Sequence, residues 1–370
     1  MKISKIKLVN FRNYSNMSVS FNKNMNIFVG DNAQGKTNIL ESIIILALTK
    51  SHRVGNNPNI IMFNKNKCKI SGVIRKDKII KKMAVEVTNE DKKLSINGNN
   101  IRKVADYISN LNVIVFTPDD LEIIKGSPSV RRNLLNIQLS QISQSYIKIY
   151  NEYNKLLKTR NEYLKILFNN SIADKNYLDV ITDKLIEKAV FIYQKRKEYI
   201  DMVNIYIDKY YKEISLDDGI VVKYVPNINF DDFDSESLRK KLKHIFKKNY
   251  IKELNYGMTI YGPHRDDFYF EYKNNDLKIY GSQGQQKLAI LSFKISEIAI
   301  FKEFTGTNPV LLLDDIFSEL DIKKRNKLLK IMNNEDIQSI ITTTDLRNIN
   351  KKYVDNAYVF NVKNGNIERK

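Results

Sequence analysis

Alternation of apolar and polar residues near the start of the chain predicts β-strands. Residues 17–21 alternate, and together with the run over residues 3–9 they indicate two antiparallel strands joined near residues 12–14. A short apolar strand over residues 25–29 then runs directly into a glycine. From Asn38 onward the apolar residues fill a helical pattern with little polar surface, which is typical of a helix buried against a sheet. The chain is therefore predicted to open with a strand, a loop and a helix.

The middle of the chain changes from strand patterns to helical ones. Residues 70–101 contain short alternating runs and an Asn97-Gly98 turn, which together predict a β-meander. Residues 130–211 include long stretches without Gly or Pro in which apolar residues recur at helical spacing. This pattern predicts an all-helical insertion, an antiparallel pair of helices that turns near residues 169–171.

Alternating strands and helices return in the last third of the chain. Residues 310–313 and 337–342 have the continuous apolar character of buried strands. The pattern predicts an α/β domain that is split by the helical insertion. We assign residues 1–115 and 256–370 to the α/β domain and residues 116–255 to a mainly helical inserted domain.

Composition fits a folded protein of the cytoplasm. The 370 residues are 42% hydrophobic, which is enough to build a buried core. A single cysteine excludes a disulfide framework and a cysteine-rich zinc site, and three dispersed histidines offer no metal cluster. No apolar run approaches the ~20 residues that span a bilayer, and the first residues lack the apolar core of a signal peptide. The sequence therefore predicts a cytoplasmic protein without a membrane partner.

Positive charge concentrates near the N-terminus. The chain carries 61 Lys or Arg against 42 Asp or Glu, a formal charge of +19. Residues 1–82 hold 16 of the basic residues and three acidic ones, so +13 of the charge lies there. Lys and Arg that neutralise phosphates release condensed counterions, so this segment is predicted to contact DNA or RNA. An AT-rich coding bias is the alternative origin, since 48 of the basic residues are Lys and 13 are Arg.

One segment matches the P-loop pattern G-x-x-x-x-G-K-[ST] at every required position. It lies between a predicted strand and a predicted helix, which is the context that such a loop needs. Backbone amides of the loop and the N-terminus of the helix attract phosphate, the lysine reaches the terminal phosphates, and the threonine hydroxyl binds magnesium. The predicted ATP-binding residues are Gly30, Asp31, Asn32, Ala33, Gln34, Gly35, Lys36 and Thr37.

A second element of such a site is an apolar strand that ends in acidic residues. Residues 310–313 run into Asp314 and Asp315. A carboxylate at the carboxyl edge of a sheet suits Mg²⁺, so Asp314 is predicted to hold Mg²⁺ together with Thr37. Asp315 is predicted to orient or polarise the attacking water. Lys36, Asp314 and Asp315 are thus the candidate catalytic residues; in isolation, an Asp-Asp pair also fits a turn at a strand end.

Further segments resemble ABC-type ATPases. Residues 282–286 resemble their signature motif, and residues 318–321 resemble their D-loop. The order of the motifs is that of SMC-like heads. Within that class, the chain resembles the RecF family of bacterial DNA replication and repair proteins over essentially its full length. The matching segments are residues 12–14, 51–53, 118–128 with Arg131 and Arg132, 261–267 and 311–321.

This resemblance implies a fold and a mode of assembly. The fold would be an ABC-type P-loop ATPase head, in which a mixed sheet is flanked by helices and joined by an antiparallel β-subdomain, with an all-helical inserted arm. In such heads the signature segment of one subunit covers the nucleotide held by another, so an ATP-dependent homodimer is implied. Ser282, Gly284 and Gln285 would contact that nucleotide, and Arg12 resembles a nucleotide-contacting arginine. The signature residues also fit a glycine turn with a helix cap.

The function implied is ATP-dependent DNA binding in recombinational repair and replication-fork maintenance. An ATP-driven dimer would close on double-stranded DNA near single-strand gaps and help load the recombinase, with RecR and RecO as partners. Slow, DNA-stimulated ATP hydrolysis would release the DNA, and the protein would be nucleoid-associated. An ATPase subunit of a membrane transporter is the alternative, but it gives no reason for the basic segment. For a nuclease or helicase, the sequence offers neither a second acidic cluster nor a motor repeat.

Two positions depart from the ABC-type pattern. Transporters of that class usually carry Glu where this chain has Asp315, which is shorter by one methylene. The position of their switch histidine falls in a threonine run, where Thr344 can accept a hydrogen bond but cannot carry charge. Both departures predict slow turnover. The sequence does not locate a Q-loop glutamine.

Overall fold

The N-terminal alternation produces the expected hairpin. In the computed structural model, which describes residues 1–51, 57–170, 174–334 and 336–370, strand β1 (Lys2–Phe11) pairs antiparallel with β2 (Tyr14–Ser20). The further strands in these residues are β3 (Met25–Val29), β4 (Lys67–Lys76), β5 (Ile79–Thr88), β6 (Lys92–Ile96), β7 (Asn99–Ile101), β8 (Val113–Phe116), β9 (Ile220–Val225), β10 (Asp267–Tyr272), β11 (Asn275–Asp276), β12 (Val310–Asp314), β13 (Ser339–Thr343), β14 (Tyr358–Lys363) and β15 (Asn366–Arg369).

The helices fill the segments with helical periodicity. They are α1 (Lys36–Leu48), α2 (Val104–Tyr107), α3 (Glu122–Lys125), α4 (Pro128–Ile142), α5 (Gln144–Asn169), α6 (Lys175–Ser215), α7 (Ser235–Lys248), α8 (Tyr250–Tyr256), α9 (Leu277–Tyr280), α10 (Gln283–Thr305), α11 (Ile316–Glu319), α12 (Ile322–Asn334) and α13 (Lys351–Val354). None of the described helices is long and apolar enough to cross a membrane.

These elements pack into two units. The first contains Met1–Leu121, Lys209–Asp218 and Ile290–Lys370, and the second contains Glu122–Asp208 and Gly219–Ala289. The matched residues His52 and Arg53 and the predicted turn residue Ser171 lie outside the described residues.

The first unit contains two six-stranded sheets. The antiparallel sheet has the order β2-β1-β4-β5-β6-β7 and includes the predicted meander, which is confirmed. The mixed sheet has the order β15-β14-β3-β13-β12-β8. Its strands β14, β3, β13, β12 and β8 run parallel, and β15 runs antiparallel to β14. Parallel strands place their carboxyl ends at one edge, where β3 and β12 both end in candidate site residues.

Helix α1 packs between these two sheets. Ten of its 13 residues are buried, and it contacts β4 and β5 on one side and β12 and β13 on the other. A helix that is apolar on all sides is stable only when every side is covered, which explains the lack of a polar face from Asn38 onward. The burial fixes the start of α1, and with it the loop that joins α1 to β3.

The second unit is built mainly from helices. Lys188 of α6 forms an ion pair with Glu152 of α5 at 3.2 Å, and Arg160 of α5 donates to Thr182 of α6 at 2.9 Å. The higher-numbered residue on one helix therefore meets the lower-numbered residue on the other, so the predicted antiparallel helix pair is confirmed. The Arg160 guanidinium is buried and also pairs with the buried carboxylate of Glu253 at 2.6 Å, which satisfies both charges.

The predicted all-helical insertion over residues 130–211 is confirmed, since the described part of this segment contains α4, α5 and α6 and no strand. The wider segment 116–255, predicted to be mainly helical, also contains β9, which pairs antiparallel with β10 in a three-stranded sheet completed by β11. The sequence of β9, Ile-Val-Val-Lys-Tyr-Val, is rich in β-branched residues and follows a glycine, a signal that the helical periodicity on either side obscured. Because β10 pairs with β9, residues 256–289 pack in the second unit, whereas the predicted head includes them. The predicted domain bounds stay a prediction.

Candidate nucleotide-binding site

The P-loop leaves β3, a strand in the interior of the mixed sheet, and enters α1. Gly30 follows β3 directly and lies against the backbone of β14, where a Cβ atom would be only 2.3 Å from the carbonyl oxygen of Val362. A residue with a side chain would have to push β14 away. Packing against β14 therefore requires glycine at this first motif position, whatever its predicted part in phosphate binding.

The second glycine of the loop has a conformational requirement. Gly35 precedes α1 with a φ of 110°, which residues with a Cβ rarely adopt. Tyr14 donates its hydroxyl to the Gly35 carbonyl at 3.0 Å, and Asn13 donates to the Gln34 carbonyl at 3.2 Å. A Cβ atom on Gly35 would lie 2.5 Å from the Asn13 amide nitrogen. Asn13 and Tyr14 thus support the loop from the β1–β2 hairpin. The motif at residues 12–14 pointed to this region, but sequence reasoning gave neither residue a role.

The side chain of Lys36 forms hydrogen bonds with two backbone carbonyl groups of the P-loop. Its ammonium group donates to the Gly30 carbonyl at 2.6 Å and to the Asp31 carbonyl at 2.7 Å. Burial lowers the pKa of Lys36, while the nearby carboxylates of Asp315 and Asp314 oppose that shift. A buried cation on the first residue of a helix is placed to bind an anionic phosphate.

Asp314 lies at the end of β12 and meets the start of α1. The Thr37 hydroxyl donates to Oδ1 of Asp314 at 2.9 Å, so the two predicted magnesium ligands are brought together. Thr342, at the end of the neighbouring strand β13, donates to the same oxygen at 2.7 Å. The oxygen atoms of Thr37 and Asp314 are hard donors, and Mg²⁺ is commonly held by one or two such groups together with water and phosphate. The donor set therefore fits Mg²⁺.

Asp315 lies at the strand end in an unusual backbone conformation. Its φ is 49°, in the left-handed region, and it precedes the short helix α11. Its backbone amide donates to both the carbonyl and the hydroxyl oxygen of Thr342, at 3.2 and 3.1 Å. Thr342 therefore fixes both acidic residues, which is a role that sequence reasoning missed because it examined Thr344, which is exposed.

A cavity of about 430 Å³ lies over the loop, within the range of about 300–1,000 Å³ typical of ligand sites. It brings together five predicted P-loop residues and both acidic residues. Asn38 and Pro118 complete the lining and were not predicted. The lining residues are Asn32, Ala33, Gly35, Lys36, Thr37, Asn38, Pro118, Asp314 and Asp315. Gly30, Asp31 and Gln34 shape the loop without being part of this lining.

Arg12 is held away from this cavity lining by an internal ion pair. Its guanidinium contacts both carboxylate oxygens of the fully buried Glu41, at 2.9 and 2.7 Å, and the carbonyl of Asn59 at 2.8 Å. Replacing one partner of such a pair leaves a buried charge uncompensated. In this conformation Arg12 joins β1 to α1, and its predicted nucleotide contact stays a prediction.

The signature segment lies in the second unit and starts α10. Ser282 accepts from the Gln285 amide at 3.2 Å, and the Gln285 side chain accepts from the Ser282 amide at 2.9 Å. This reciprocal pair is a capping box, so the helix-cap interpretation of these residues is confirmed. Gly284 is exposed, and a Cβ there would meet only the Ser282 hydroxyl, at 3.9 Å. Packing among the described residues therefore does not require glycine at this position.

Within the described residues, no group of three or more His, Cys, Asp or Glu is arranged to hold a metal ion. His264, in the matched segment 261–267, is half-buried in the second unit. Its Nε2 donates to the Thr259 carbonyl at 3.2 Å, so its Nδ1 accepts from the Tyr153 hydroxyl at 2.6 Å. Burial lowers the pKa of His264 from 6.5 to about 4. His264 is a neutral structural group at physiological pH.

We expect His264 to make the second unit sensitive to acid. The unfolded chain binds a proton near pH 6.5, whereas the folded chain does so near pH 4, so the unfolded state binds more protons between these values. The stabilisation from neutral His264 is complete above pH 6.5 and is lost as the pH falls towards 4, a total of about 3 kcal/mol. NMR titration of the imidazole measures the folded pKa directly. A midpoint near 6.5 in the folded protein would contradict this assignment.

The Thr342 contacts give a second prediction. Thr342→Val keeps the shape of the side chain but removes its hydrogen bond to the Asp314 carboxylate. Hydrogen bonds to charged groups contribute roughly 1.5–3 kcal/mol, so the free energy of unfolding should fall by about that amount. Urea denaturation with a probe in the first unit measures the change. Thr344→Val is the matched control, because Thr344 is exposed, and an equal effect in both variants would refute the role of Thr342.

The chain is similar to known proteins over nearly its whole length. A family model described as the RecF/RecN/SMC N terminal domain matches residues 2–368. The DNA replication and repair protein RecF of Halalkalibacterium halodurans is 37% identical over 372 residues, covering 100% of both chains. That of Clostridium botulinum (strain Eklund 17B / Type B) is 40% identical over 370 residues, covering 99% of each chain.

Solved structures show the same fold. A structure of the recombination mediator protein RecF with ATP, from the RecFOR pathway, has a TM-score of 0.91 at 30% identity, covering 100% of this chain and 97% of that one. An Smc head bound to the C-terminal winged-helix domain of ScpA has a TM-score of 0.56 at 15% identity, covering 100% and 97%, which supports the ABC-type head fold alone. With a family model across nearly the whole chain and end-to-end relatives at 37–40% identity, the chain belongs to the RecF family of DNA replication and repair proteins.

Proposed function

We propose that this protein is a slow, DNA-stimulated ATPase that binds DNA in an ATP-dependent way during recombinational repair and replication-fork maintenance. The observation that carries the proposal is the meeting of Lys36, Thr37 and Asp314 at one cavity. Two groups from the start of α1 and one from the end of the distant strand β12 converge there, and together they supply the donors that a magnesium-bound triphosphate needs. The solved RecF structure with ATP, over 97% of its length, supports the same ligand.

Each residue of the site has a defined part in the proposed reaction. Lys36 exchanges its contacts with the loop carbonyls for contacts with the terminal phosphates. Thr37 and Asp314 hold Mg²⁺, which neutralises charge that develops on the phosphates. Asp315 orients the attacking water and accepts its proton, and its short side chain suits slow turnover.

A second copy of the chain completes the site in this proposal. Ser282, Gly284 and Gln285 would cover the nucleotide held by the other copy. Gly284 supports this role, because a glycine in the first turn of a helix costs up to about 1 kcal/mol relative to alanine and no described neighbour explains it. The capping box leaves Ser282 and Gly284 exposed, so the phosphates of a nucleotide bound to a second copy of the chain can approach them.

The DNA-related part of the proposal rests on charge and on family membership. The dimer would close on double-stranded DNA near single-strand gaps, help load the recombinase, and release the DNA after hydrolysis. RecO and RecR are the proposed partners, since a solved relative is described as a mediator of the RecFOR pathway. A cytoplasmic, nucleoid-associated location follows from binding chromosomal DNA.

Binding of gapped duplex, blunt duplex and single strand, each with ATP, ADP or no nucleotide, tests the proposal. Duplex affinity should be highest with ATP and should fall steeply with salt, because phosphate contacts release counterions. Fluorescence anisotropy over a salt series measures both effects. If the affinity for DNA depended on neither the nucleotide nor the salt concentration, ATP-dependent DNA binding would be refuted.

A further inference from the structure

The antiparallel sheet of the first unit has an unusual charge distribution. Its six strands contain eleven Lys or Arg and a single acidic residue, Glu86. The inner face of the sheet carries buried apolar side chains such as Ile6, Ile70 and Val85, which pack in the same core as α1. The outer face, called here the lysine face, carries Lys2, Lys5, Lys7, Lys67, Lys69, Arg75, Lys82 and Lys93.

Basic residues of these strands that lie off the lysine face have partners within the chain. Lys76 donates to the Thr305 carbonyl at 3.4 Å, Lys81 donates to Asn110 at 2.6 Å, and Lys92 donates to the Thr49 carbonyl at 2.9 Å. Two basic residues of the lysine face also have acidic partners: Lys2 pairs with Asp336 at 3.0 Å, and Lys69 approaches Glu86 at 3.7 Å. The other six basic residues of the face form no ion pair with any described residue. Their charge is therefore available to an external anion.

Strand register arranges these lysines around a row of short side chains. Lys7 pairs with Ser18 on β2 and with Ser71 on β4, and the row continues through Ala84 on β5 to Ser95 on β6. Short side chains leave this row open to a large partner, and their hydroxyl groups are further donors for phosphate.

A neighbouring row carries two lysines. Lys5 on β1 and Lys82 on β5 both pair with Val73, which lies between them on β4. Neighbouring strands are about 4.8 Å apart, so the backbones of Lys5 and Lys82 are about 10 Å apart. Long lysine side chains at this spacing can reach several phosphates of one backbone.

The chemistry of the face favours duplex over single-stranded nucleic acid. Single strands are bound largely by stacking of bases on aromatic side chains. The aromatic residues of these six strands, Phe11 and Tyr14, are both buried, so the face offers no platform for stacking. Lysine and serine contacts position a phosphate backbone without reading its sequence.

We propose that the lysine face binds the phosphate backbone of double-stranded DNA. The inference rests on the proposed DNA-binding function and names the surface that performs it. It also explains why the excess charge lies in residues 1–82 rather than along the whole chain. Coding bias enriches lysine, but it does not gather six basic residues without an ion pair on one face of one sheet.

The test compares two triple variants in the presence of ATP. The variant Lys5→Gln, Lys7→Gln, Lys82→Gln removes three charges from the lysine face. The control Lys23→Gln, Lys330→Gln, Lys352→Gln removes the same charge from other exposed positions of the first unit. Each lost phosphate contact lowers the slope of log affinity against log salt by about 0.9, so the slope should fall by about 2–3. Duplex affinity should fall roughly tenfold or more, and the control should stay within about twofold of the wild type.

ATP affinity of each variant reports that it is folded, and a second variant, Lys67→Gln with Lys93→Gln, tests the face independently with an expected loss in slope of about 2. If the wild type binds duplex and both face variants keep its affinity and slope, the lysine face is not the DNA surface, while the proposed function stands. If the wild type does not bind duplex at all, the proposed function and this inference fail together.

Discussion

Lys36→Ala should lower ATP affinity by about 100-fold and abolish ATP-driven dimerisation. The ammonium group is the one side-chain cation in the cavity lining of the described first unit, and it faces backbone carbonyls that a phosphate would replace. Two charge-assisted hydrogen bonds at roughly 1.5 kcal/mol each correspond to a factor of about 100 in the dissociation constant. Titration with a fluorescent ATP analogue in Mg²⁺ measures affinity, and light scattering measures dimerisation.

The matched control for this variant is Lys23→Ala, which removes an exposed lysine of the same unit. The fold should survive both changes, because Lys36→Ala releases the carbonyl groups of Gly30, which is half-buried, and of Asp31, which is exposed, so water can replace the lost hydrogen bonds. Equal ATP affinity in the wild type and in Lys36→Ala would remove Lys36 from the site. Normal affinity with failed dimerisation would instead place Lys36 in assembly alone.

Asp315→Asn should reduce single-turnover ATP hydrolysis by about 100-fold or more while ATP binding is retained. Asparagine keeps the size of the side chain and tolerates a φ of 49°, so the strand end should keep its conformation. It cannot accept a proton from water, and general-base catalysis contributes roughly 10²–10⁴ in rate. Rapid mixing of enzyme in excess over labelled ATP, with quantification of the ADP formed, measures the chemical step.

Asp77→Asn is a closely matched control for this substitution. Asp77 lies in the same unit, is exposed, and also has a positive φ, at 53°. The Asp77→Asn variant should hydrolyse ATP at the wild-type rate. If Asp315→Asn also hydrolyses ATP at the wild-type rate, another group must orient the water. Asp315 would then have only a structural role, between β12 and α11.

Local sequence accounts for much of the fold. The period-two pattern of β2 and the apolar run of β3 predicted strands because side chains of a strand alternate between faces and a central strand is buried on both. The missing polar face of α1 predicted burial. Strand β9 was missed because a strand of six residues between two helices has a weak sequence signal. Its pairing with β10 becomes evident only in the tertiary structure.

The sequence likewise predicted some residues of the candidate site and missed others. The P-loop is contiguous, so its glycines, lysine and threonine could be assigned from their order alone. Thr342 could not, because its contact with Asp314 spans 28 residues and exists only since β12 and β13 are neighbours in register. The pair of Arg12 with Glu41 has the same origin, since it joins β1 to α1, and the sequence pattern did not predict it.

The sequence by itself determined that the chain has a P-loop, an acidic strand end and an excess of positive charge near the N-terminus, because each is a property of consecutive residues. Tertiary structure decided which groups act together. Pairing of β3, β13 and β12 brought Asp314, Thr342 and the start of α1 with Thr37 to one edge of the mixed sheet. In the antiparallel sheet it gathered six basic residues without an ion pair on the lysine face, since side-chain direction and strand register are fixed only when the sheet forms.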